Sequence, residues 1–473
     1  MATGSGPTKS TAAASVVERV AADLLARAHR GVIVDSPPGA GKSTLVVEIA
    51  RRLAATGEPV MVVAQTNEQV DDLVDRMAAK HGPVVGGTMT IGRLSASTYA
   101  PTDRVQRYLG HGVTIGGKYA ELGTPQVTIA TAAKWTRFGE DMTWPWAILD
   151  EAYQMRSDGL LAIAPRFASG CALFVGDPGQ LDPFATVGAD RWAGSAWDPT
   201  DSAVAVVRAH NPDLPVHRLP FSWRLPASAA DLVARAFYPF TPFEAGTEHS
   251  DRSLALGAPG RAGRGVQGAG GDGHRKQLDE ALQTAAETGW ACYELPARYT
   301  VRTDAEALNA CADLAARLLA RGATAVDSIS YPEGHEVTAD RIAVGAAHRD
   351  QVSAIRAALD RHGPATRDIT VDTANRLQGR EYDVTIVLHP LSGRRDATAF
   401  HLETGRLCVL LSRHRHACIV VARAGISDLL DAHPHTDPVY LNVPVRFPDG
   451  WEAHQTILAH LAAGAGAGAG RAG

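Results

Sequence analysis

The stretch Ser36-Pro37-Pro38-Gly39-Ala40-Gly41-Lys42-Ser43-Thr44 follows a short apolar run, Val32-Ile33-Val34, and leads into an amphipathic segment, Leu45 to Leu53. That order predicts a strand, a glycine-bearing loop and a helix, the setting a phosphate-binding loop requires. Backbone N–H groups of such a loop, with the N-terminus of the next helix, form a concave anion site. Lys42 then brings a mobile positive charge to the outer phosphates of a nucleotide, and the Ser43 hydroxyl is a ligand for Mg²⁺. The string departs from G-x-x-x-x-G-K-[ST] at one place, because Ser36 stands where the first glycine belongs. An ordinary glycine turn between strand and helix accounts for the same residues less fully.

Composition permits this reading. A chain of 473 residues has room for two or three domains, each with its own core. With 45% hydrophobic and 21% charged residues it reads as a soluble globular protein. No apolar run reaches membrane-spanning length, and the opening MATGSGPTKS lacks a charged start followed by an apolar stretch, so a cytoplasmic protein without a membrane partner is expected. Cys171, Cys292, Cys311, Cys408 and Cys418 are scattered and form no C-x-x-C pair, which argues against a disulfide framework or zinc site and for small buried hydrophobes. A net charge of −5 is no global footprint for nucleic acid, so any such binding must use a local surface. Only six of the 46 basic residues are lysines, and one of those six is Lys42 in the loop.

Along the chain, β-type runs alternate with helical patterns, the signature of a parallel-sheet α/β protein. Val60 to Ala64 is a strand candidate, followed by a helix from about Glu68 to Lys80. His81 to Gln126 has weak periodicity and reads as an insertion or small subdomain. Strands resume at Val127–Ala130, Ala147–Leu149 and Ala172–Val175, and a break follows from Arg191 to Leu219. Gly246 to Gly273 reads as a long flexible loop, and a second α/β region runs from Trp290 to Ala422. The tail from Ala462 to Gly473 is low-complexity and expected to be disordered. The natural division is residues 1–215, 216–431 and a C-terminal extension, 432–473.

A phosphate loop that hydrolyses a nucleotide needs a carboxylate for Mg²⁺ and another for the attacking water. Trp146-Ala147-Ile148-Leu149-Asp150-Glu151 offers both at the end of an apolar strand, Asp150 for the metal and Glu151 as general base. Leu173 to Phe184, LFVGDPGQLDPF, delivers Gln180 at a strand end, where an amide can bond both a phosphate and a water.

In order, these strings resemble the motifs of superfamily 1 helicases, in the branch containing the nonsense-mediated-decay helicase and its DNA-acting relatives. SPPGAGKST is similar to motif I, AQTNEQVDDL (64–73) to motif Ia and VTIATAAKW (127–135) to the next nucleic-acid-contacting motif. LDEAYQ (149–154) resembles motif II and VGDPGQLDP (175–183) motif III. HRLPFSWRLP (217–226) looks like the tyrosine-arginine motif, with Ser222-Trp223-Arg224 in place of the usual pair. AVGAAHRDQV (343–352) resembles the opening of the second domain, VDTANRLQGREYDVTIV (371–387) carries Gln-Gly-x-Glu, and RLCVLLSRHRHACIVVA (406–422) resembles the last motif.

The resemblance implies two tandem RecA-like P-loop NTPase domains, with parallel sheets flanked by helices and ATP in the cleft between domains. It implies that Pro38 to Thr44 cradle the phosphates with Gln180, that Arg224 and Arg413 act as arginine fingers, that Glu381 contacts the ribose, and that Gln378 and Gly379 link nucleotide to nucleic acid. Single-stranded nucleic acid, DNA favoured over RNA, would be held by Thr66, Asn67, Thr131 and Thr373, with Trp135 as a possible stacking partner. Translocation would run 5′ to 3′. His348, His414 and His416 read as packing or surface residues.

The chain departs from the family in two ways. Only about thirty residues precede the loop, leaving no room there for the β-barrel subdomain of larger relatives, and no glutamine motif is evident upstream. Two other readings stay open. One is a nucleic-acid-stimulated motor subunit that unwinds only with protein partners. The other is a P-loop regulatory ATPase that binds no nucleic acid.

Overall fold

Val32, Ile33 and Val34 form the centre of a strand, β1 (Gly31–Asp35), in which every residue is buried. The computed structural model describes residues 8–139, 141–181, 183, 192, 195–258, 272–433 and 449–469. These fall into two compact units. The first holds the described residues through 178 and from 183 to 220, and the second holds Gly179–Leu181 and the described residues from Phe221 onward.

The first unit is built on one eight-stranded sheet. After β1 come β2 (Val60–Ala64), β3 (Ile91–Leu94), β4 (Val113–Gly116) and β5 (Val127–Thr131). They are followed by β6 (Trp146–Asp150), β7 (Cys171–Gly176) and β8 (Val216–Arg218). The spatial order is β4-β3-β5-β2-β6-β7-β1-β8, and every pairing is parallel. Helices cover both faces, so the central strands are apolar at consecutive positions. Val32, Val34, Val60 and Val62 pack with Leu45, Ile49 and Leu53 of the helix Lys42–Ala54. Ile33, Met61, Val63 and Leu149 turn to the other face, against Trp135, Trp144 and Tyr153.

Two expectations are corrected in this unit. The segment 81–126 is no separate subdomain: its strands β3 and β4 extend the main sheet beyond β5. A four-residue strand with Gly92 and Arg93 inside it has too little apolar pattern to be seen in sequence. The expected break at 191–219 contains the helix Ala203–His210 and the edge strand β8, whose Val-His-Arg sequence is part-exposed and carries no apolar run.

The second unit opens with the short parallel pair β9 (Phe221–Ser222) and β10 (Glu244–Ala245). Next come β11 (Arg252–Leu256), β12 (Trp290–Leu295), β13 (Ala323–Asp327) and β14 (Tyr331–Glu336). The last four are β15 (Ile342–Ala346), β16 (Thr370–Thr373), β17 (Tyr382–Leu388) and β18 (His414–Arg423). A five-stranded parallel sheet has the order β12-β18-β17-β15-β16, and β11, β13 and β14 form a separate antiparallel sheet. The expected loop at 246–273 therefore contains a paired strand, β11, and its residues 259–271 lie outside the described ones.

A helix spans Gly450–Ala469, with Ala453, Ile457 and Leu461 packed against the apolar face of the helix Ala227–Phe237. The disordered tail expected from Ala462 is thus corrected as far as Ala469, where alternating alanines offset the helix-weakening glycines; residues 470–473 lie outside the described ones. No helix among the described residues is long and apolar enough to cross a membrane. None of the five cysteines forms a disulfide, and four of them are buried.

Burial holds three histidines of the second unit below their ordinary range: His401 to about 4, His414 to about 3 and His454 to about 4. Each is neutral when folded and takes up a proton on unfolding below its ordinary value of 6.5. Their contribution is therefore complete above that value and is lost as pH falls toward 4. Melting temperature should fall steadily on acidification below about pH 6.5, and less steeply in His414→Leu.

Candidate functional site

The carboxyl ends of β1, β7 and β6 lie side by side, with Asp35 opposite Gly176 and Asp150 opposite Val175. Loops leaving this edge of a parallel sheet are where α/β proteins bind ligands. From β1 the chain enters the loop through Ser36, whose N–H donates to Gly176 O at 2.8 Å. Positive φ is needed at Gly39 (69°) and Gly41 (89°) but not at Ser36, which explains why the missing first glycine is tolerated. Gly41 caps the helix Lys42–Ala54 without any side-chain bond, and no acidic residue lies in the first turn. The helix end thus offers its N–H groups and positive dipole to an anion. Ser36 Oγ is buried and has no partner among the described residues, a further free polar group inside the cradle. These features fit the phosphates of a nucleotide.

Lys42, Asp150 and Glu151 are brought together as one cluster. Lys42 Nζ lies 2.8 Å from Asp150 Oδ1 and 2.5 Å from Glu151 Oε1. Burial alone would lower the ammonium pKa, but the two carboxylates outweigh it and hold Lys42 above its ordinary value. Burial raises Asp150, opposed by Lys42 and reinforced by Glu151. Two buried carboxylates face one ammonium, and this surplus of hard oxygen donors suits a divalent cation such as Mg²⁺. Ser43 follows Lys42 in the same helical turn. Glu151 sits in the left-handed region (φ 52°, ψ 42°), at a cost of order 1–3 kcal/mol. Its N–H donates to Asp150 Oδ1 at 3.0 Å, so the strained turn binds the two acids to one another.

A further pair went unseen in the sequence. Asp35, the last residue of β1, is buried, and Tyr153 of the DEAYQ string donates its hydroxyl to Asp35 Oδ1 at 2.5 Å. Burial raises the Asp35 carboxyl, with Tyr153 the first group opposing that rise, and Arg208 and Arg218 stand 4.0 and 3.9 Å from Oδ2. The bond ties the start of the phosphate loop to the turn that carries Glu151. A tyrosine two residues after the acid Glu151 was the available signal, but its partner lies 118 positions away.

One AAA domain family model matches residues 18–214, and a second AAA domain model, that of a superfamily 1 helicase C-terminal domain, matches residues 297–425. The chain is a superfamily 1 helicase-type ATPase. Its two domains are AAA-type P-loop domains, and it is an ATP hydrolase that binds nucleotide. No curated protein matches the chain.

In the second domain of this ATPase, Arg224 Nε donates to Glu381 Oε2 at 3.1 Å, and Arg415 Nη1 to Glu381 Oε1 at 3.0 Å. Burial pushes the Glu381 carboxyl up, and the two guanidiniums more than reverse this, holding it below its ordinary value. Arg415 Nη2 reaches Asp327 Oδ2 at 2.6 Å, and Arg252 Nε shares that oxygen at 3.0 Å. Arg415 was not singled out by sequence. Arg413 is 0% exposed, and its Nη2 donates to Ser412 Oγ at 2.7 Å. Truncating it therefore perturbs packing as well as charge. Gly379 has φ 81° and open space on its Cβ side. Gln180 belongs to this second unit, where Gly405 approaches its main chain so closely that a Cβ would lie 2.8 Å from Gln180 C. Asp182 and Phe184 of its motif lie outside the described residues. His414 packs edge-on to Trp290 with ring centroids 4.9 Å apart, His416 bonds Val326 O at 3.1 Å, and His348 stacks on Phe400.

Thr66, Asn67 and Thr131 sit at the carboxyl edge of the first sheet, where Ala64 pairs with Thr131. Thr66 forms a capping box with Gln69 for the helix Asn67–His81, and Thr131 caps the turn Ala132–Thr136. Thr373 ends β16 in the second unit. Trp135 corrects the expectation: it is 0% exposed, its Nε1 donates to Val62 O at 3.0 Å, and Trp144 and Phe138 pack edge-on to its ring. It is a core residue with no face open to a base.

Removing the Tyr153 hydroxyl leaves the buried Asp35 carboxyl short of a donor. Tyr153→Phe should therefore lower stability by about 1–3 kcal/mol in thermal or urea unfolding.

Proposed function

We propose that this ATPase is a motor that couples hydrolysis at the phosphate loop to movement along single-stranded nucleic acid, DNA in preference to RNA. The observation that carries the reading is the shared edge of one sheet. The phosphate loop after β1, the acids after β6 and the polar residues after β2 and β5 all leave the carboxyl edge of the same eight parallel strands. A change in the bound phosphates at one end of that edge acts on the same rigid sheet that carries the strand-binding residues.

Lys42 and the loop N–H groups hold the outer phosphates of ATP, and Gln180 orients the attacking water. Glu151 takes the proton of that water. Ser43 and Asp150 would hold Mg²⁺, which supplies charge neutralisation at the phosphates. Arg224 and Arg413 spread the charge that develops on the transferring phosphoryl group, and Glu381 and Gly379 belong to the same nucleotide site. Thr66, Asn67, Thr131 and Thr373 hold the nucleic-acid backbone through phosphates and therefore without reading sequence.

Lys42→Ala should abolish ATP turnover and weaken nucleotide binding. Glu151→Gln should keep nucleotide binding and lose turnover; normal turnover in that variant removes Glu151 as the base. Arg413→Lys retains charge in the buried site but not the fork, and should cost up to about 10³-fold in turnover. The deciding measurement is ATPase rate against single-stranded and duplex DNA and RNA across a salt range. Stimulation by single strands supports the motor. A rate that no nucleic acid changes would overturn it in favour of a regulatory ATPase, and stimulation without strand displacement identifies a motor that needs a partner to unwind.

A further inference from the structure

Three polar side chains on the carboxyl edge of the first sheet each accept a hydrogen bond from within the protein. Thr66 Oγ1 accepts from Gln69 N and Thr131 Oγ1 from Lys134 N, each at 3.2 Å. Asn67 Oδ1 accepts from Arg93 Nη2 at 3.1 Å. Each keeps its donors, a hydroxyl proton on each threonine and the NH₂ of Asn67, and Thr66 and Asn67 are exposed. Lys134 adds positive charge beside Thr131, its Nζ anchored on Gly117 O at 2.8 Å in the loop after β4.

Arg93 is the unexpected member. It lies on β3 and is 0% exposed. Its Nε donates to Asp71 Oδ1 at 2.8 Å, and the Tyr99 ring lies 3.4 Å from its Cζ. Tyr99 and Thr102 donate to the two Asp71 oxygens at 2.8 and 3.1 Å. Charge balance is thus complete between Arg93 and Asp71, and the bond to Asn67 is not needed to satisfy the buried cation. A guanidinium has donors and no acceptor, so the Asn67 atom that faces it must be the oxygen. Turning the amide over would set NH₂ against a donor. We propose that Arg93 is a positioning residue that locks Asn67 with its amide donors outward, where they can hold a phosphate of the nucleic-acid backbone.

This inference rests on the nucleic-acid reading above, and its test separates the two. The probe is a fluorescent oligothymidylate, with binding measured at two salt concentrations for the full chain. Asn67→Asp keeps the side-chain shape and the Arg93 bond but turns a carboxylate oxygen outward; Asn67→Ala removes the outward donor together with the Arg93 bond and adds no charge. Asn67→Asp should weaken binding roughly tenfold to a hundredfold, and more than Asn67→Ala does. Arg93→Lys, which cannot serve Asp71 and Asn67 together, should bind less tightly and should shrink the Asn67→Asp penalty, a non-additive double-mutant cycle. Melting temperature confirms that each variant folds, and should Arg93→Lys fail to fold, the Asp-against-Ala comparison decides. Equal affinities for wild type and Asn67→Asp, or a strictly additive cycle, would overturn the role of Arg93. A wild-type chain that binds neither oligothymidylate nor oligouridylate overturns the nucleic-acid reading itself, and this inference with it.

Discussion

A lysine ammonium held between two buried carboxylates is the constraint on which the first unit depends. Lys42 and Asp150 stand 108 positions apart in the chain, and both carboxylates lie within 2.8 Å of the Lys42 ammonium. Removing the ammonium from such a buried cluster costs about 3–5 kcal/mol, because the two carboxylates are then left uncompensated. The cluster forms only if β1 and β6 run parallel with their ends level, which the intervening β7 enforces through Asp35 opposite Gly176 and Asp150 opposite Val175. The surplus negative charge and the strained Glu151 backbone are unfavourable in isolation, and both fit the proposed nucleotide and cation site.

The segment 81–126 contributes strands to the same sheet. β3 and β4 lengthen the platform, and Arg93 reaches from β3 under the helix Asn67–His81 to Asp71 and Asn67. A buried ion pair contributes little net stability compared with apolar packing. What it does supply is direction, since each hydrogen bond it makes fixes which end of its partner faces out. In the second unit, Glu381 is treated similarly, with Arg224 and Arg415 on its two oxygens and Asp327 bridging Arg415 to Arg252.

Much of the fold was legible because parallel strands covered on both faces must be apolar at consecutive positions. Val32 to Val34, Val60 to Ala64 and Ala172 to Val175 carry that mark without ambiguity. β3 and β8 do not, since Gly92, Arg93 and His217 break the run, and they were read as insertion and break. Trp135 lies in a motif whose resemblance to superfamily 1 implied a nucleic-acid contact, yet whether an aromatic is core or surface is set by what packs on it, here Trp144 and Phe138. The alternating Ala and Gly after Ala462 were read as disorder by composition, whereas the helix that precedes them is anchored by Ile457 and Leu461 and continues into them.

The amino-acid sequence by itself determined the chemistry available: a lysine in a glycine-bearing loop, adjacent acids at a strand end, and a series of motifs in the order of superfamily 1. Those are local patterns, and local spacing is what backbone periodicity and turn chemistry can read. Only the tertiary structure decided which groups meet. Tyr153 on Asp35, Arg415 beside Arg224 on Glu381, and Arg93 beneath Asn67 are contacts between positions far apart in the chain. No periodicity encodes them, because they follow from strand order and register rather than from neighbours in sequence.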